Sequence, residues 1–138
     1  MIIAVIDGQG GGIGKVLVEK IRKDFADDVE IWVFGTNSLA TSLMLKAGAD
    51  EGATGVNAII YNINKVDVIV GTLSIILANS MMGELTPAIA EAVACSKAKK
   101  LLLPLNRSNV SIIGVQPEPL PHLADNLLKQ LRIIVKEG

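Results

Sequence analysis

The sequence predicts a three-layer α/β domain, a mostly parallel sheet with helices on both faces, on three observations. Strand-like and helix-like patterns alternate along the whole chain. Half of the 138 residues are hydrophobic but only 3% are aromatic, so Val, Ile, Leu and Ala must fill the interior. That composition suits strands buried on both faces. The first strand pattern runs directly into Gly8-Gln9-Gly10-Gly11-Gly12-Ile13-Gly14, and a helix pattern follows at once.

Residues 2–7 form the first predicted strand. Ile13, Val16, Leu17, Val18 and Ile21 then recur at helical spacing, with Lys15, Glu19, Arg22 and Lys23 on the opposite face. A polar break at 24–28 leads to the second strand, 30–34, stopped by Gly35. Ser38 is the expected cap of a helix carrying Leu39, Leu43 and Leu45 and ending at Gly48. Residues 49–55 read as a short third strand or a loop, 57–65 as a helix, and 67–71 as a fourth strand of Val and Ile. Residues 72–86 are irregular. Thr86-Pro87 starts the next helix, with Thr as cap and Pro in the first turn. That helix should run to about Lys97. Residues 101–104 read as the fifth strand and 110–115 as one more. Pro117, Pro119 and Pro121 make a stiff link to a last helix with Leu123, Leu127, Leu131 and Ile134 on one face. One domain accounts for the length.

The glycine loop is the feature that points to a ligand. A strand, a glycine-rich turn and a helix N-terminus together offer backbone N–H groups and a positive dipole end to a phosphate. Gly8, Gly12 and Gly14 give the spacing G-x-x-x-G-x-G, which resembles the loop of short-chain dehydrogenases. The resemblance implies a Rossmann-like fold and an NAD- or NADP-type dinucleotide held by Gly8, Gln9, Gly10, Gly11, Gly12, Ile13 and Gly14. The usual partner of such a loop is an acidic residue at the end of the second strand. Here that place holds Thr36, Asn37 and Ser38, which can hydrogen-bond a ribose or a 2′-phosphate. No acidic residue and no Arg stands beside them, so NAD is slightly disfavoured, NADP stays open and neither is established. A second reading is a phosphate loop, because Gly11-Gly12-Ile13-Gly14-Lys15 resembles the deviant Walker A motif of ParA/MinD-type ATPases. Val16 stands where the Mg²⁺-binding hydroxyl should be, and Gly10 replaces the signature lysine. A third reading is a tight turn with no ligand.

Other positions follow from the fold. In open parallel sheets the ligand crevice lies beyond the C-terminal ends of the strands. Thr72 and Ser74, after the fourth strand, should face it. So should Asn79, Ser80 and Glu84, with Glu84 the candidate for acid–base chemistry. The segment from Leu77 to Pro87 resembles the Thr-Ala-Asn loop of decarboxylase-type flavoproteins, which implies FMN as an alternative cofactor. Asp7 closes the first strand at the ligand end, and it either shapes the loop or touches the ligand. Asp67 belongs to the opposite end. Arg107 could hold an anion at the crevice mouth. His122 reads as a surface residue and Cys95 as a small core residue. One His and one distant Cys make no metal set. Tyr61 and Lys65 match the Tyr-x-x-x-Lys letters of short-chain dehydrogenases but fall in the wrong segment.

The formal charge of −1 and the lack of a basic face give no reason to expect nucleic acid. The longest apolar stretch is too short for a membrane span. With one cysteine and no leader pattern, the chain reads as cytoplasmic. High apolar content in a small domain predicts a homodimer, through 73–83 or the last helix. From Ile6-Asp7-Gly8 through Asn57-Ala58-Ile59, Asn79-Ser80 and Thr86-Pro87-Ala88-Ile89 to Lys100-Leu101-Leu102-Leu103-Pro104, the chain resembles a family of short proteins of unknown function from clostridia and related Gram-positive bacteria. That resemblance implies a free-standing cytoplasmic protein and no particular chemistry. A nucleotide-binding enzyme and a non-catalytic nucleotide sensor both fit the sequence.

Overall fold

A computed structural model describes residues 1–138. Five strands, β1 (Ile2–Asp7), β2 (Glu30–Gly35), β3 (Glu51–Thr54), β4 (Val68–Thr72) and β5 (Lys99–Leu103), form one sheet in the order β3-β2-β1-β4-β5. Every neighbouring pair is parallel. Five α-helices connect and follow them: α1 (Gly12–Phe25), α2 (Ser38–Lys46), α3 (Val56–Asn62), α4 (Pro87–Cys95) and α5 (Leu120–Glu137).

The pleat of β1 separates two apolar layers. Ile3 and Val5 point to one face, where Leu17, Val18 and Ile21 of α1 pack with Leu123, Leu127, Leu128 and Leu131 of α5. Ala4 and Ile6 point to the other, against Ile59 of α3 and Ile89 and Val93 of α4. Both layers are mainly aliphatic, with Phe25 in the first and Phe34 in the second. Burying a residue such as Leu17 or Ile89 contributes about 1.5–3 kcal/mol. The chain works outward from β1 to β2 and β3, then crosses back to β4 on the other side. Strand order therefore reverses between β1 and β4, and the crevice above that point receives the residues that follow both strands.

The structure departs from the sequence reading at four places. Residues 110–115 are not a strand. They belong to the exposed β5–α5 connection, with Ile113 93% exposed. Beta-branched residues suit a strand, but no strand pairs beside β5 on that side. The cap of α2 is Asn37 rather than Ser38, its Oδ1 accepting from the Ala40 N–H at 2.9 Å. Helix α4 stops at Cys95, two residues short of Lys97, and Cys95 is exposed rather than in the core. Val93 takes the buried position of that last turn. The fifth strand starts two residues early, at Lys99.

Other elements match their sequence signals. The Thr86 hydroxyl accepts from the Ile89 N–H, with Pro87 in the first turn of α4. Asp67 accepts from the Ile2 N–H at 2.7 Å and ties β1 to β4 at the end away from the crevice. His122 is exposed, with Nδ1 3.7 Å from a Glu118 carboxylate oxygen. No helix is long and apolar enough to cross a membrane.

Candidate functional site

Asp7 organises the glycine loop. Its Oδ1 accepts from the Gly8 N–H at 2.8 Å and its Oδ2 from the Gly14 N–H at 2.7 Å. The carboxylate thus clamps the turn to the third residue of α1, and the Gly11 N–H closes the turn onto the Gly8 carbonyl at 2.9 Å. Burial pushes the Asp7 carboxyl above its ordinary range, against the two N–H donors that favour its ionised form, and the nearby Glu84 charge adds to the rise.

The five glycines divide into two groups. A side chain at Gly8 would collide with the Thr36 hydroxyl and with Met81 Sδ. Gly11 is left-handed at φ 74°, and its Cβ would lie 2.8 Å from the Ala40 Cα. A Cβ at Gly14 would come within 2.5 Å of Met44 Sδ and 2.9 Å of the Asp7 Cβ. The fold itself requires these three. At Gly10 and Gly12 a Cβ would meet nothing within 4 Å, and neither has a left-handed backbone. The same division holds for the N–H groups. Those of Gly8, Gln9, Gly11 and Gly14 have acceptors within the chain, and those of Gly10, Gly12 and Ile13 have none.

Those free donors border a cleft of about 710 Å³. Its floor is Asp7 and the loop from Gly8 to Ile13. One wall is Thr72, Ser74 and residues 79–82, and the other is residues 105–108. The volume suits a small-molecule ligand. The Ser80 hydroxyl donates to the Ser74 carbonyl at 2.6 Å, so Ser80 braces the wall. Thr72 is 95% buried. Every fully enclosed side-chain nitrogen or oxygen has a hydrogen-bond partner. The Thr72 hydroxyl has no partner in the chain, so it opens onto the cleft that it lines. Asn79 is exposed, with a left-handed backbone at φ 65°. Arg107 stands exposed at the mouth and forms no ion pair.

Thr36, Asn37 and Ser38 lie outside this cleft, as do Gly14 and Glu84. Glu84 instead reaches the end of β2. One of its oxygens, Oε1, accepts from the Gln9 N–H at 2.9 Å, the Thr36 hydroxyl at 2.7 Å and the Asn37 amide at 2.8 Å. The Gln9 N–H first, with the two side-chain donors, holds the Glu84 carboxyl below its ordinary range despite partial desolvation. An ionised group with three donors on one oxygen is suited to fixing structure and accepting hydrogen bonds. It is poorly suited to delivering a proton near neutral pH.

Sequence reasoning missed Met81, Met82 and Leu105 as lining residues, and missed that Glu84 meets the loop at β2. Met81 and Met82 are both left-handed, at φ 57°, and a non-glycine residue in that region gives no sequence signal. A family profile for a domain of unknown function, DUF3842, matches residues 2–136. The chain belongs to the DUF3842 family. No curated protein and no solved structure matches it. The DUF3842 match spans both the glycine loop and the cleft walls, so the site lies wholly within the family's domain.

Proposed function

We propose that the chain binds a phosphate-bearing nucleotide in the cleft above β1 and β4, with a phosphate on the Gly8–Gly14 loop. One observation carries this reading. Gly10 and Gly12 serve neither the backbone conformation nor the packing of the chain, and together with Ile13 they carry the three N–H groups without acceptors at the turn into α1. A phosphate needs that space and those donors. The core leaves room for alanine at either position.

The candidate ligands are NAD, NADP, FMN and ATP-like nucleotides. A thermal-shift panel tests the reading, since a ligand at 100 times its Kd stabilises by about 2.7 kcal/mol. Binding that survives in a folded Gly12→Val variant would remove the loop from the site. A non-catalytic sensor is the reading favoured over an enzyme by a specific observation. Asp7 and Arg107 are the only ionisable side chains lining the cleft. Glu84, the expected acid–base group, is engaged outside it.

A further inference from the structure

The glycine loop has two sides, and only one is open. In a dinucleotide-binding sheet of this order, the adenosine ribose lies at the end of β2 and the other half of the ligand lies over the strand beyond the switch point. At the β2 end the space above Gly8 is taken by Thr36, Met81 and Glu84. The donors that would meet a ribose there, Thr36 and Asn37, are spent on Glu84, and Asn37 also caps α2. On the β4 side the cleft is open, and Thr72 presents a hydroxyl without a partner from a side chain 95% buried.

We propose that the cleft takes a mononucleotide, its phosphate on the N–H groups of Gly10, Gly12 and Ile13 and its body over the C-terminal ends of β4 and β5 against Thr72. The inference rests on the nucleotide reading above and narrows it from a dinucleotide to one half of one. The cleft's volume is of the order that encloses a ligand of this size. Arg107 at the mouth adds a cation for a ligand with a second anionic group. The negative charge of Glu84 at the closed end also disfavours a 2′-phosphate there, which counts against the NADP that the sequence left open.

The experiment compares dinucleotides with their own halves by titration calorimetry on the full chain. The probes are NAD against NMN and AMP, FAD against FMN and AMP, and inorganic pyrophosphate alone. At least one mononucleotide should bind as tightly as the dinucleotide that contains it. Thr72→Val keeps the side-chain shape and removes no hydrogen bond within the chain. It should weaken that mononucleotide roughly 2- to 13-fold, the span of one neutral hydrogen bond. A dinucleotide that binds about tenfold or more tightly than both of its halves would overturn the inference and leave the nucleotide reading standing. Sensitivity of that binding to Glu84→Gln would then place its ribose on Glu84. Unchanged mononucleotide binding in a folded Thr72→Val variant would also overturn it. If no probe binds, pyrophosphate included, the nucleotide reading falls as well.

Discussion

Gly12→Ala and Gly14→Ala are two residues apart on one helix and should move stability in opposite directions. At Gly14 the new methyl would sit 2.9 Å from the Asp7 Cβ and 2.5 Å from Met44 Sδ. The methionine end can swing aside, but the Asp7 Cβ belongs to the residue that holds the Gly14 N–H at 2.7 Å. Overpacking of this kind costs about 1–3 kcal/mol. The stiffer unfolded chain offsets about 0.4–1 kcal/mol of that, leaving a net loss of about 1–2 kcal/mol. For a domain of this length the loss lowers Tm by roughly 4–8 °C. At Gly12 the methyl meets nothing, so only the unfolded-state gain remains, and Tm should hold or rise by a few degrees, on the order of 1–4 °C. Urea titrations of both variants, with m unchanged, give the two free energies directly. The separation of structural from ligand-facing glycines would be refuted if Gly12→Ala lost more than about 1 kcal/mol, or if Gly14→Ala stayed within about 0.5 kcal/mol of the parent.

Three further outcomes are expected. Glu84→Gln should cost about 1 kcal/mol, a charge-assisted bond discounted for partial exposure. Because the folded Glu84 carboxyl lies below its ordinary value near 4.5, its contribution is present above that value and is lost as pH falls through the lowered one. The gap between parent and variant in urea melts should therefore close in acid; a gap that widens there would contradict the assignment. No Mg²⁺-dependent ATP hydrolysis should appear in a phosphate-release assay, since Val16 offers no hydroxyl and Lys15 lies 3.8 Å from Glu19 on the exposed side of α1. Turnover abolished by Lys15→Ala would show otherwise. Light scattering at micromolar concentration should report a homodimer, and a monomeric mass would count against the surfaces named from composition.

The parts of the fold read correctly from sequence are those marked by an unbroken run of β-branched residues or by an apolar repeat of 3.6. The Val and Ile run of β4, the apolar face of α1 and the leucine stripe of α5 each carry their own partner surface in their spacing. Strand β3 does not. Glu-Gly-Ala-Thr is an edge strand with three of its four residues exposed, so no apolar pattern marks it. Residues 110–115 mislead for the opposite reason: their side chains suit a strand, but strand pairing depends on a neighbour that the sheet does not provide. In the site, the loop and the β4 wall were legible because both follow strand ends. The contact of Glu84 with Gln9, Thr36 and Asn37 was not, because it spans 47 to 75 residues of chain and depends on consecutive left-handed residues that local propensity disfavours.

The position of β1 has a consequence for synthesis. Strand β1 is made before both of its neighbours, and it bonds to β2 on one side and β4 on the other. Its second partner begins at Val68, so until then one edge of Ile2–Asp7 has no strand to pair with. A nascent chain of that length therefore carries a bare edge, aliphatic from Ile2 to Ile6, of the kind that recruits other strands. Parallel pairing across so long a loop is slow to form. Any fragment that ends before β4 should be captured by chaperones or aggregate, and the chain should become self-sufficient only once Val68–Thr72 is available to close that edge.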